Sequence, residues 1–227
     1  MLFRKSIGEF IGTALLVMTV VGSGIMAQNL TQDVGLALLI NTLATVFMLG
    51  VIISLFAPLS GAHFNPVVTV ASALRKVNSW TTAGAYIVSQ FAGGILGTAV
   101  ANIMFNKPLL TASLHTRSAH QLLLGEVIAT AGLVFLIFNR ISKNLPMQIL
   151  VPAWIGSAYF FTASTSFANP AVTFARAWSN SFAGIAPASV LGFVGAQLVG
   201  AGLGLGMANF LTVPPERKSS DHMVGYS

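Results

Sequence analysis

Apolar residues in this chain do not alternate with polar ones; they run on. Six stretches, at about 7–27, 34–57, 81–105, 119–139, 147–163 and 184–211, are almost free of charge. A hydrocarbon layer needs about 20 consecutive apolar residues per helix, so each stretch is read as a membrane-spanning helix. Two further apolar stretches, 59–75 and 164–180, are too short to span and are broken by Pro and Gly. Non-helical backbone is tolerated at membrane depth only where protein or a water-filled cavity meets it. These two stretches are therefore predicted to be re-entrant.

The re-entrant stretches are near-copies. One reads Gly61-Ala62-His63-Phe64-Asn65-Pro66-Val67-Val68-Thr69, the other Ser166-Phe167-Ala168-Asn169-Pro170-Ala171-Val172-Thr173-Phe174. In both, Asn reads as a helix N-cap and Pro as the first helical position, where a missing N–H costs nothing. The duplication extends outward. Gly8-Glu9 in the first span matches Gly125-Glu126 in the fourth, and Gln90 with Gly93 and Gly97 matches Gln197 with Gly200 and Gly204. Small residues four apart let helix backbones approach in lipid. Three spans per half turn the second half upside down, an arrangement in which broken helices meet at the repeat interface. The predicted fold is all-α: six transmembrane helices plus two re-entrant half-helices in an inverted 3+3 repeat. It forms one domain, with repeat one over 1–106, repeat two over 118–211 and a tail over 212–227.

Charge sharpens this picture. Only 7% of residues are charged, against about 25% in a soluble domain. The net charge of +6 does not point to nucleic acid, because the eleven Lys and Arg are scattered near span ends, most of them in pairs; the expected surrounding is the lipid bilayer. Arg4, Lys5, Arg75, Lys76, Arg140, Lys143, Arg217 and Lys218 fall on one face of a six-span chain, and Lys107, Arg117 and Arg176 on the other. The positive-inside rule then places both termini in the cytoplasm. The run after Arg4-Lys5 is too long for a signal-peptide core, so no cleavable signal is expected.

The candidate chemistry is sparse. With no Cys there are no disulfides, thiolate metal sites or Cys nucleophiles. Glu9 and Glu126 are the intramembrane acids, and an ionisable group there is a functional candidate. One reading has each carboxylate accept the unpaired N–H groups of a re-entrant loop; the other is a proton relay. His63 has no second ligand at metal spacing, so a loop hydrogen bond is the favoured role over a titrating gate. The Gly-rich run 200–206 lies inside an apolar helix and is no nucleotide fingerprint. No metal, cofactor or catalytic residue is expected. The paired half-helix N-termini carry partial positive charge. If neighbouring backbone holds the oxygens of Asn65 and Asn169, their NH2 groups are left as donors toward a pore. Such a pore suits neutral solutes and disfavours cations.

At these residues the chain resembles the aquaporin and aquaglyceroporin family of major intrinsic proteins, whose signature is a paired Asn-Pro-Ala motif in six-span inverted repeats. The resemblance covers nearly the whole chain and implies a homotetramer with one pore per protomer. It also implies a constriction formed by Thr45, by Gly156 or Ser157, by Ser166 or Thr165, and by Val172. Two departures stand out. The first motif reads Asn65-Pro66-Val67, and Val172 occupies the position after the second motif where the family usually carries Arg. A filter of Thr, Gly or Ser, Ser or Thr, and Val would be wide and uncharged. Arg176, one turn beyond Val172, either supplies part of the missing charge at the outer vestibule or is a solvent-facing anchor. The run around Val172 is similar to that of a bacterial subgroup associated with arsenic resistance. The expected role is a passive channel in a bacterial inner membrane for water, glycerol-like polyols and trivalent arsenic as neutral As(OH)3 or methylated arsenicals. Other readings are a proton-coupled transporter using Glu9, Glu126 or His63, a mainly water-conducting pore, and a non-conducting scaffold.

Overall fold

The computed structural model describes residues 1–139 and 146–211. Arg140, Lys143, Arg217, Lys218 and the expected tail over 212–227 therefore lie outside the described residues. Eight α-helices and no strand occur among the described residues: α1 (Leu2–Leu30), α2 (Val34–Ser60), α3 (Pro66–Leu74), α4 (Trp80–Met104), α5 (His120–Phe138), α6 (Met147–Phe161), α7 (Pro170–Arg176) and α8 (Pro187–Phe210). The fold is the expected one, with α3 and α7 as the half-helices.

Five of the helices are long and apolar enough to cross a bilayer, whereas α6 has 15 residues. At 1.5 Å per residue it is about 22 Å long. The shortfall against the predicted span 147–163 has a local cause. Helix α6 ends at Phe161, and the chain then runs through Thr162 to Ala168 as the loop that feeds α7. Helix α2 does the opposite and continues past Pro58, where the pattern predicted an end at 57. Proline removes one N–H, but the Gly61 N–H still closes the last turn on Ala57 O.

Helix α1 packs on α4 and α5 packs on α8. The reason is the glycines. A Cβ at Gly93 or Gly97 would run into the carbonyls of Phe10 and Ala14, and one at Gly200 or Gly204 into those of Val127 and Ala131. The contacts in one half thus repeat in the other, at equivalent residues. Gly12 serves differently, leaving room for the Phe64 ring.

The outward surface is apolar: Phe47, Val51, Leu55, Val88 and Leu191 are among many large exposed side chains. The polar groups are inside, with Glu9, Gln90, Glu126 and Gln197 fully buried. That inversion fits a lipid solvent, where buried polar groups must find partners within the protein.

Candidate functional site: a paired half-helix pore

The two re-entrant loops share one backbone conformation. Gly61, Ala62 and Phe64 have positive φ, and so do Thr165, Ser166 and Ala168, each 104 positions later. Six residues in or beside the left-handed region, five of them non-Gly in total, need external support. The carboxylates supply it. Glu9 accepts from the backbone N–H of His63 (3.0 Å) and Phe64 (2.7 Å). Glu126 accepts from Phe167 (2.8 Å) and Ala168 (2.9 Å). Each carboxylate also takes a donor from its repeat's glutamine: Gln90 Nε2 at 2.8 Å, Gln197 Nε2 at 2.6 Å. The same glutamines donate to Thr69 and Thr173, whose hydroxyls donate to the carbonyls of Asn65 and Asn169. This geometry supports the bracing reading for both acids.

His63 joins the first network. Its Nδ1 lies 3.1 Å from Thr69 Oγ1 and its ring stands edge-on to Tyr86 at 5.4 Å. Because the Thr69 proton goes to Asn65 O, the ring donates from Nδ1 and keeps Nε2 as an acceptor. No group of His, Asp and Glu able to hold a metal occurs among the described residues.

The asparagines cap their own helices and still reach the other repeat. Asn65 Oδ1 accepts from Val67 N, and Asn169 Oδ1 from Ala171 N and Val172 N. One NH2 hydrogen of each goes across: Asn65 Nδ2 to Ala168 O at 2.8 Å, and Asn169 Nδ2 to Phe64 O at 2.7 Å. Capping and pore donation coexist because an amide has two acceptor sites and two hydrogens.

Both asparagines face a cavity of about 380 Å³. Its wall comes from residues four apart on the two facing helices: Thr45, Leu49, Ile53 and Ala57 on α2, and Met147, Val151, Ile155 and Tyr159 on α6. The lining is largely apolar, and the polar atoms are confined to a few positions. Thr45, Ser166, Val172 and Arg176 all line it, as does His63.

Neither alternative for the α6 constriction position, Gly156 or Ser157, is on the cavity wall. Ser157 is exposed on the outer side of α6, and Gly156 abuts Val46 of α2. The α6 helix stops at Phe161, and the chain then turns through Thr162 to Ser164 into the left-handed residues Thr165 and Ser166, which shifts the register relative to α7. The α6 residue at this level of the cavity is Tyr159, whose hydroxyl lies 3.4 Å from Thr45 Oγ1. Its fourfold spacing from Ile155 and Val151 is the signal that marks it. Of the alternatives Thr165 and Ser166, Ser166 lines the cavity, and its hydroxyl has no protein partner. Arg176 is 2% exposed, which rules out a solvent-facing anchor. Phe174 packs on Phe91 and Trp178, as a structural residue would.

Residues 1–167 match the family model described as major intrinsic protein. The chain belongs to the major intrinsic protein family. It is 46% identical over 214 residues to an aquaglyceroporin of Rhizobium meliloti, covering 94% of this chain and 92% of that one. It is 28% identical to a glycerol uptake facilitator protein of Streptococcus pneumoniae, covering 95% and 81%. The aquaglyceroporin from Plasmodium falciparum has the same fold, with a TM-score of 0.67 at 18% identity over 93% of this chain and 97% of that one. The protein is thus a membrane channel of the aquaporin and aquaglyceroporin type.

Proposed function

We propose that this major intrinsic protein is a passive, bidirectional channel for small uncharged solutes: water, glycerol-like polyols, and trivalent arsenic or methylated arsenicals. The observation that carries the reading is the lining of the cavity. Its wall is apolar except at Asn65, Asn169, His63, Arg176 and a few hydroxyl-bearing side chains, and the residue after the second motif is Val172. A polyhydroxy solute needs width, an apolar wall for its carbon or arsenic face, and a line of donors and acceptors for its hydroxyls. Asn65 and Asn169 each retain one N–H for this role. Ser166 has a free hydroxyl, and Thr45 and Tyr159 supply oxygens on the facing wall.

The proton-coupled reading loses support on geometry. Glu9 and Glu126 are occupied by loop amides and a glutamine each, and protonating either would remove acceptors from a loop that depends on them. The proposal includes a homotetramer in a bacterial cytoplasmic membrane with both termini inside. Stopped-flow swelling of proteoliposomes in water, glycerol and arsenite gradients tests the function. A channel gives flux in all three that does not change when the pH gradient is collapsed; uptake that vanishes with that gradient would overturn it.

A further inference from the structure

Resting on the channel reading, we propose that Arg176, seated on Phe167 and backed by Arg117, is a specificity-determining residue of the pore. It supplies, one helical turn later along α7, the fixed positive charge and N–H donors that are missing at Val172.

The side chain is held as a filter group would be. Arg176 is buried and lines the same cavity as Val172. Its Nε donates to Ala183 O, and its guanidinium carbon sits 3.4 Å from the centroid of the Phe167 ring. A guanidinium over an aromatic face is attracted to the ring's electron density, and Arg sheds its hydration more readily than Lys does. No described residue accepts from its terminal nitrogens, which leaves them for a solute.

The platform is itself immobilised. Phe167 N donates to Glu126, and the ring packs edge-on against Phe193 at 5.1 Å. On this ring a second cation converges. Arg117, from the connection between α4 and α5, has its guanidinium carbon 5.2 Å from the same centroid. It is tied down through Nε to Gly184 O and through its backbone N–H to Ser189 Oγ. Two arginines drawn from segments about sixty residues apart in sequence thus share one aromatic ring. Glu126, the buried carboxylate of this half, is already engaged by two amides and Gln197. The local charge is therefore net positive, in a site with little water to screen it.

A wide opening beside Val172 would by itself admit hydrated cations and proton-carrying water files. A rigid cation at the wall repels both while leaving room for an uncharged polyol. Width and charge are set by different residues here: Val172 leaves the width, and Arg176 restores the charge.

The test uses full-length protein in liposomes, with Arg176→Gln, Arg176→Lys and Phe167→Leu. Glycerol permeability is read by stopped-flow swelling, and proton leak by an entrapped pH dye under a potassium diffusion potential. Arg176→Gln is expected to raise proton leak at least tenfold and to change glycerol permeability by a clearly smaller factor. Arg176→Lys should retain most of the exclusion, and Phe167→Leu should leak at an intermediate level. An unchanged leak in folded Arg176→Gln would overturn the proposal. If that variant does not fold, Phe167→Leu decides: a raised leak supports the proposal and a parental leak overturns it. Failure of the underlying channel reading is separable, since it would show as absent neutral-solute flux in the parent.

Discussion

Asn65 and Asn169 are each hydrogen-bonded to the residue preceding the other: Asn65 Nδ2 to Ala168 O, and Asn169 Nδ2 to Phe64 O. The exchange is reciprocal and links the two repeats at the tips of their half-helices. The asparagines are therefore a clamp as well as pore donors. Asn65→Ala and Asn169→Ala are each expected to cost about 1–2 kcal/mol, from loss of an N-cap and of a buried cross-link. Thermal unfolding in detergent of both singles and the double measures this. Because the two bonds share one backbone junction, the double should cost less than the sum; strict additivity would mean the bonds act independently.

Glu126→Gln keeps the size of the side chain but replaces one acceptor oxygen by a donor facing the amides of Phe167 and Ala168. Each hydrogen bond to a charged group contributes about 1.5–3 kcal/mol, so a loss of at least about 2 kcal/mol is expected, with lower flux for every solute. Glu9→Gln should behave alike. Parental stability with loss only of pH-gradient-dependent uptake would point to a proton relay.

Gly204→Ala places a methyl group against Ala131 O, and Gly93→Ala does the same against Phe10 O. Overpacking of this kind costs about 1–3 kcal/mol. Gly202, on the same helix as Gly204, has open space around it, and Gly202→Ala should be neutral or more stable by up to about 1 kcal/mol. Melting temperatures of the three variants check the contrast.

Val172→Arg would add a further cation one turn from Arg176. It is expected to cut glycerol and arsenite permeability severalfold and water permeability less. Tyr159→Phe, which removes the hydroxyl near Thr45, should alter glycerol flux, whereas Ser157→Ala on the outer side of α6 should alter none. Liposome swelling with the three solutes reads both comparisons.

His115, in the α4–α5 connection, has its pKa lowered by burial and secondarily by Arg117. Its neutral form is favoured in the folded state, so the stability it allows is present above the ordinary histidine pKa of 6.5. That stability is lost as pH falls below this value and through the lowered folded-state pKa. His115→Gln is expected to flatten the dependence of unfolding temperature on pH below the ordinary histidine value.

The repeat, the two half-helices and the bracing role of Glu9 and Glu126 were legible in the residues, because each depends on a local signal repeated at a fixed spacing. An Asn-Pro pair ahead of a short apolar run is a local helix-start signal, and a lone carboxylate in an apolar span needs donors wherever they come from. The identity of the pore wall depended on more. Which α6 residue reaches the cavity depended on α6 ending at Phe161, and that ending is set by the loop's need to reach Glu126. Tyr159 therefore lines the cavity and Ser157 does not. The position of Arg176 was open for a similar reason. Its helical face is readable from Val172, but whether it meets solvent or Phe167 depends on Ala183 and the α4–α5 connection folding over α7. Sequence by itself determined that this is a doubled, membrane-embedded pore element, since periodicity and apolar length are properties of the chain. The tertiary structure alone decided which side chains face the solute, because those contacts join segments of opposite repeats that no local pattern relates.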